Sequence, residues 1–257
     1  MSRRHDHDAG GDPETLARKA ELREEVWTAL TEQKAARFPG ARNRISNFVG
    51  AEVAARRLRE LDVWCAARTV KSNPDSAQLP VRRYALEDGK TVYMAVPKLA
   101  EDDPFFLLDP DHLADPPRRA ASIANATRSA RRVAVDDLEP VDLVVTGCVA
   151  VGADGARLGK GGGFADLEFA LAREAGLISD ETLVVTTVHE LQLREAGVIP
   201  WASHDVPVDL VVTPERVVDC REHRRTRPER GIVWESLTEE KIAAIPLLGR
   251  LREEVRR

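Results

Sequence analysis

The spacing of apolar residues predicts several amphipathic helices. Leu22, Val26 and Leu30 recur at helical spacing, which predicts a helix over residues 14–36. Comparable patterns, bounded by residues that break helices, predict three further helices: 51–61, 76–87 and 164–175. The last of these is expected to stop at Gly176, because glycine readily ends a helix.

Short apolar runs between these helices predict the strands: 63–70, 91–96, 141–151, 183–188 and 210–213. The run 141–151 is almost entirely apolar, which is typical of a strand buried on both faces. Because helices separate the strands, the order indicates a βαβ series. The predicted fold class is therefore α/β, with a mostly parallel sheet and helices on both faces.

Composition excludes several function classes. The chain of 257 residues is 43% hydrophobic and 32% charged, which is ordinary for a soluble protein. A net charge of −5 and an aromatic content of 5% disfavour a nucleic-acid partner. The cysteines Cys65, Cys148 and Cys220 lie far apart in apolar stretches, so we expect buried thiols and no zinc site or disulfide framework.

The location of the protein is predicted from the length and position of its apolar segments. No apolar run approaches the length of about 18 residues that a membrane span needs. The first dozen residues are polar and do not resemble a signal peptide. These features predict a cytoplasmic protein without a membrane partner.

Both ends of the chain are expected to lie outside the main α/β unit. Residues 1–12 are predicted to be a disordered tail, although the alternating His and Asp of residues 5–8 leave metal contact open. Residues 13–220 are expected to form one domain. Residues 221–257 are predicted to be a basic linker and a C-terminal helical extension packed on that domain. Five arginines within 221–230 leave phosphate binding as the alternative to a solvated linker.

A glycine-rich segment, residues 155–166 with the sequence GARLGKGGGFAD, is the strongest candidate for a ligand site. It follows a predicted buried strand and opens a predicted helix, so N–H groups of the first helical turn would point at an anion. Arg157 and Lys160 add positive charge suited to phosphate oxygens. The spacing matches neither the Walker loop nor the dinucleotide fingerprint. Phosphate binding is favoured, and a tight strand-to-helix turn is the alternative.

Two polar segments near the ends of later predicted strands are further candidates. His189 and Glu190 follow one strand, and His204 and Asp205 precede the next. These pairs are suited to acid–base chemistry or metal binding. The competing interpretation is that they cap turns, and residue type alone favours it.

Four segments of the chain resemble the 5-formyltetrahydrofolate cyclo-ligase family. Residues 157–166, RLGKGGGFAD, resemble the family signature RLGYGGGYYD, and residues 204–213, HDVPVDLVVT, resemble its HDVPVD…T segment. Gln192 matches the family's FExQ motif, and residues 19–23 resemble its KxxLR motif. The motifs have the family's order and spacing over roughly residues 19 to 220, which is hard to obtain by chance.

This resemblance implies a Rossmann-like domain and an ATP- and Mg²⁺-dependent ligase that converts 5-formyltetrahydrofolate to 5,10-methenyltetrahydrofolate. It implies catalytic roles for Lys160 and Asp166, with Asp166 near Mg²⁺, and substrate contacts for Asp75 and Gln192. The residues that would bind ATP are Lys19, Arg23, Arg157, Gly159, Lys160, Gly161, Gly162, Gly163 and Phe164.

Departures from the family pattern fall in the folate half of the site. Lys160 and Ala165 stand where the family has tyrosines, and Asp75 is the candidate replacement for a glutamate that contacts folate. A divergent branch of the family carries a similar loop and is linked to thiamine metabolism. The alternatives to a folate ligase are therefore an ATP-binding paralogue acting on a related heterocycle, and a nucleotide- or RNA-binding regulatory module. The lost aromatic contacts predict weak turnover of 5-formyltetrahydrofolate.

Overall fold

The computed structural model describes residues 12–228 and 231–255. The predicted tail therefore lies outside the described residues except for Asp12, and so does the His-Asp run at 5–8. Asp12 begins the described chain as a helix cap, since its carboxylate accepts a hydrogen bond from the Thr15 amide at 2.9 Å.

The described residues contain nine α-helices and eleven strands. The helices are α1 (Pro13–Glu32), α2 (Ala51–Arg59), α3 (Asp62–Ala66), α4 (Leu79–Glu87), α5 (Pro117–Ala120), α6 (Ile123–Ser129), α7 (Phe164–Glu174), α8 (Glu239–Ala244) and α9 (Pro246–Val255). The strands are β1 (Thr69–Ser72), β2 (Thr91–Ala95), β3 (Phe105–Leu108), β4 (Arg131–Val133), β5 (Leu143–Thr146), β6 (Ala150–Gly152), β7 (Arg157–Leu158), β8 (Leu183–Thr187), β9 (Leu193–Arg194), β10 (Leu210–Val212) and β11 (Val217–Asp219).

The main sheet has eight strands in the order β11-β10-β8-β5-β1-β2-β3-β4. Its five central strands, from β10 to β2, are parallel, and the strands at both edges pair antiparallel. The predicted α/β class with a mostly parallel sheet is confirmed. Strand alternation divides the apolar side chains between two layers, since Val144 of β5 packs with one hydrophobic cluster and Leu143 and Val145 with the other.

A second sheet of three short strands, in the order β7-β6-β9, lies apart from the main one. Helix α1 packs against it through Leu22, Val26 and Leu30, which share a buried cluster with Ala150 and Leu158. The long helix is thus placed beside the glycine segment that follows β7.

Two predicted strands were wrong in their extent or type, and so was the expected burial of one cysteine. The run 141–151 is two strands in different sheets, because the chain leaves the main sheet at Gly147 after β5 and enters the small sheet at β6. The run 63–70 is α3 followed by the start of β1, since a short apolar run does not distinguish helix from strand. Cys65 lies in α3 and is exposed, contrary to the expectation of three buried thiols.

The arginine-rich segment after Arg221 is held more tightly than a solvated linker. Arg224 and Arg227 both pair with the buried Asp209, and Arg225 pairs with Asp154 at 3.0 Å. Arg227 is only 7% exposed. These pairs engage three of the five arginines that had left phosphate binding open.

Candidate functional site

The chain reverses its direction across the main sheet between β1 and β5. From β1 it proceeds to β2 on one side, and it later returns to add β5 on the other side. In open α/β sheets, the crevice at the carboxyl ends of two such strands is where ligands bind. Here the crevice lies between Asn73, after β1, and Gly147, after β5, and the Gly147 amide donates to Asn73 Oδ1 at 3.2 Å.

The glycine loop, residues 159–163, connects β7 to α7 at this crevice. Gly161 and Gly163 have φ angles of 108° and 61°, which favour glycine over residues with a side chain. Gly163 is the N-cap of α7, and among the described residues no side chain caps this end of the helix. The amide groups of the first turn are therefore open to an anionic ligand.

Helix α1 brings two cations to the loop from more than a hundred residues away in sequence. Lys19 and Arg23 are one helical turn apart and both are buried. Arg23 Nε donates to the carbonyl of Gly159 at 2.8 Å, and Lys19 Nζ donates to Asp205 at 2.8 Å. Burial, with the charge of Asp166 as a second cause, raises the pKa of Asp205.

Arg157 and Asp166 form an ion pair across the loop. Asp166 Oδ1 accepts from Arg157 and also from the Val206 amide, the latter at 3.0 Å. Burial acts to lower the pKa of Arg157, but the charges around it, that of Asp166 first, together with the hydrogen bond to Asp166, keep this pKa above its ordinary value. This pair holds the two ends of the loop in register.

Two cavities lie beside the glycine loop. Four residues line both of them: Arg157, Gly159, Gly163 and Asp166. The first cavity, of about 60 Å³, is also lined by Lys19 and Arg23 and by His204 and Asp205. The second, of about 270 Å³, lies toward the main sheet. A ligand in either cavity would contact the same loop.

Strand ends and the loop together form the second cavity. It contains the predicted substrate residue Asp75 and the predicted loop residue Lys160, with Phe164 and Ala165 from the start of α7. Burial raises the pKa of Asp75, although the Lys160 charge acts in the opposite direction. The glycine loop and the ends of the main-sheet strands thus meet at this cavity.

Two sets of buried polar residues near the second cavity were missed by sequence reasoning. Glu168 accepts from Lys71 at 2.5 Å and from Asn73 at 2.7 Å, and all three side chains are buried. A lysine within the apolar strand β1 was the available signal, since a buried lysine requires a partner.

The second set that sequence reasoning missed consists of Arg82 of α4 and the backbone groups that it binds. It donates to the backbone carbonyls of Asn73, Pro74 and Asp75, and through Nε to Ala121 at 2.9 Å. Its burial lowers the pKa of Arg82 to about 10. The guanidinium fixes the backbone that presents Asp75 to the cavity.

Gln192 is not brought to either cavity by the structure. Its amide nitrogen donates to the carbonyls of Cys148 and Val149 at 3.0 and 3.1 Å, and its oxygen accepts from the His189 amide. His189 caps the same short turn through its ring. Both side chains are thus used within the fold, and Glu190 is held by Thr213 and Arg216.

The described residues contain no cluster of three or more metal-binding side chains. They also contain no helix with the length and apolar character that crossing a bilayer demands. The carboxylate nearest to the glycine loop along the chain is that of Asp166, in the first turn of α7. Asp166 is the residue that the family resemblance places near Mg²⁺.

The sheet, the glycine loop and the cations around it define an α/β protein with a candidate phosphate site beside a second ligand cavity. A model of the 5-formyltetrahydrofolate cyclo-ligase family matches residues 15–214. The chain belongs to this family.

Relatives and solved structures agree with this assignment. The methenyltetrahydrofolate synthase domain-containing proteins of Bos taurus and Homo sapiens are each 36% identical, over 95% and 91% of this chain. The chain spans only 64% and 61% of the lengths of these relatives. The NMR structure of Aquifex aeolicus 5,10-methenyltetrahydrofolate synthetase matches 81% of this chain and 96% of its own, with a TM-score of 0.52 and 21% identity, and so shares the fold.

Proposed function

We propose that the protein is an ATP- and Mg²⁺-dependent ligase that converts 5-formyltetrahydrofolate to 5,10-methenyltetrahydrofolate. The observation that carries the proposal is the pair of cavities that share Arg157, Gly159, Gly163 and Asp166. A phosphate donor bound on one side of the loop and an acceptor bound on the other would meet there.

The loop supplies the groups that phosphoryl transfer needs, which are mainly donors that position phosphate oxygens and neutralise their charge. Amide groups at the start of α7 would hold the phosphates, with Lys19, Arg23 and Arg157 as the cations beside them. In the reaction, the formyl oxygen takes the γ-phosphoryl group and ADP leaves. The second folate nitrogen then attacks the activated carbon, and the C–O bond breaks to release phosphate.

The loop fits a magnesium ion of the type that nucleotides carry. Mg²⁺ in such sites is held by one or two carboxylates together with phosphate oxygens and waters, so a cluster of three protein ligands is not required. Asp166 is the carboxylate at the loop, and both of its described hydrogen bonds are made by Oδ1. The ion would supply charge neutralisation on the phosphates.

A substrate other than folate is the second candidate, and a specific observation favours it. Lys160 and Ala165 line the second cavity at positions where the family has tyrosines. A lysine and a methyl group favour an anionic or smaller heterocycle over the flat face of a pterin. On this reading, ATP binding is retained and the acceptor differs.

The assay is purified protein with 5-formyltetrahydrofolate, Mg²⁺ and ATP, with methenyl product followed by absorbance. We expect slow formation of product that requires both ATP and Mg²⁺. ATP binding without any product or folate binding would exclude the folate reaction and favour the second candidate. A protein that binds neither ATP nor folate would exclude both.

A further inference from the structure

Residues 231–241, called here the covering segment, form part of the wall of the first cavity. Gly231, Ile232, Val233 and Leu237 line it, together with Lys241. The family model ends at residue 214, so this wall is built from outside the matched region.

The covering segment is anchored on both sides. Before it, Arg227 pairs with the buried Asp209 and donates to the carbonyl of Thr182 at 2.8 Å. After it, Ile242 and Leu248 belong to the main hydrophobic cluster, where they are 5% and 0% exposed. The segment is therefore an integral layer over the cavity.

The start of the segment also lies directly against α7. A Cβ atom at Gly231 would come within 2.9 Å of the Ala170 carbonyl, so only glycine allows this approach. The Ile232 amide faces the Glu174 carboxylate at 3.4 Å. These contacts hold the segment on the helix that begins at the glycine loop.

Lys241 reaches the glycine loop itself. Its Nζ donates to the carbonyl of Gly162 at 2.7 Å and lies 5.1 Å from the centre of the Phe164 ring. A Cβ atom at Gly163 would be 3.0 Å from the same Nζ. The ammonium group is thus seated at the loop and the N-terminus of α7.

The covered cavity is small for the ligand it would take. Its volume of about 60 Å³ lies far below the range of about 300–1,000 Å³ that is typical of small-molecule pockets. The cavity opens to solvent, so a nucleotide would lie only partly within it, with its phosphates at the loop that Lys241 contacts.

We propose that Lys241 is a phosphate-binding residue that the C-terminal segment, residues 231–241, adds to the nucleotide site. The inference rests on the proposed function, because it takes the triphosphate of ATP as the ligand. In the described state the Gly162 carbonyl accepts from the ammonium group, and in the bound state a phosphate oxygen would accept from it.

The test compares ATP affinity, measured calorimetrically with Mg²⁺, among wild type, Lys241→Met and Lys241→Arg. Arg250→Met is the matched control, since Arg250 is a surface cation of α9, outside residues 231–241, and pairs with Asp102. We expect Lys241→Met to weaken ATP binding about tenfold, as for the loss of a charge-assisted hydrogen bond. Lys241→Arg should retain most of the affinity, and Arg250→Met all of it.

Adenosine, measured by competition, separates phosphate recognition from a structural role. We expect its affinity to be the same in wild type and Lys241→Met. Unchanged or tighter ATP binding in Lys241→Met would overturn the inference, and so would an equal loss for adenosine. Wild-type protein that fails to bind ATP would overturn the proposed function, and this inference with it.

Discussion

The two cavities beside the glycine loop differ in which parts of the molecule form their outer walls. The first is enclosed by α1, with Lys19 and Arg23, and by the C-terminal segment. The second is enclosed by the ends of the main-sheet strands, with Asn73 and Asp75. Residues that match the family motifs, Lys19 and Arg23 among them, form part of the lining of the first cavity, and the principal departures, Lys160 and Ala165, line the second.

This difference shows how one half of a site can change while the other is retained. The two cavities share Arg157, Gly159, Gly163 and Asp166, and residues of α7 line both of them. Their other walls differ, and the hydrogen bonds of Lys19 and Arg23 go to Asp205 and Gly159, neither of which is altered by substitution of Lys160 or Ala165. The following variants test this division, beginning with the largest expected effect.

Gly162→Val is expected to abolish ATP binding. The affinity for ATP should fall by more than about 100-fold, which is the effect expected from the loss of two charge-assisted hydrogen bonds. A Cβ atom at Gly162 would approach the Phe164 ring to 2.9 Å, so a branched side chain must displace the start of α7. ATP affinity by calorimetry is the measurement. Gly249→Val is the control, because a Cβ atom there meets nothing within 4 Å. Equal affinities in Gly162→Val and wild type would show that the loop does not bind the phosphates.

Lys19→Met is expected to lower the free energy of unfolding by about 3 kcal/mol, because it leaves the Asp205 carboxylate buried without its cation. Lys19 and Asp205 are 4% and 6% exposed. Unfolding in urea measures this effect. The double variant Lys19→Met/Asp205→Asn should recover much of the stability.

ATP affinity in that double variant should remain about tenfold below wild type, since the phosphate contact is still missing. Recovery of ATP affinity together with stability would mean that Lys19 serves the fold only.

Lys160→Tyr/Ala165→Tyr is expected to raise kcat/KM for 5-formyltetrahydrofolate by about 10-fold or more, because each restored aromatic contact contributes about 1 kcal/mol. Ala165→Tyr alone should give about fivefold, with little change in ATP affinity. Steady-state kinetics with varied folate is the measurement. If neither variant has a higher kcat/KM than wild type, the substrate in the second cavity does not contact the positions of Lys160 and Ala165 as a folate would contact tyrosines there.

Asp75→Asn is expected to have the smallest effect, a modest rise in thermal stability at pH 7. The pKa of Asp75 is raised by burial, so the charged carboxylate destabilises the folded state above that pKa. As the pH falls through the raised pKa toward 3.8, wild type gains the proton and the advantage of the amide should disappear. Melting curves from pH 4 to 8 measure this. A stability difference that does not vary with pH would contradict burial of a charged Asp75.

The two helices that carry the site follow closely from sequence, because their apolar periodicities are strong. Helix α1 ends at Glu32, four residues before its predicted end, and α7 begins at Phe164 as predicted. The edges of the sheet were harder to predict. β3, β4 and β11 are short antiparallel strands without a distinctive pattern.

The motif residues at the loop could be predicted, but their partners could not. Nothing in sequence spacing indicates that Lys19 pairs with Asp205, 186 residues away, or that Arg82 secures the backbone beside Asp75. Gln192 is the opposite case. Its motif suggested a substrate contact, whereas its amide is hydrogen bonded to Cys148 and Val149.

The sequence by itself determined the α/β class, the glycine loop and the family, because periodicity, glycine content and motif order are local properties of the chain. Only the tertiary structure decided that Lys19 and Arg23 lie at the loop, that the loop separates two cavities, and that Lys241 reaches it from the C-terminal segment. The physical reason is that these hydrogen bonds join groups that lie 79 to 186 residues apart in the chain. Packing of α1 on the small sheet and of α8 on the hydrophobic core brings them together, and no local pattern encodes that packing.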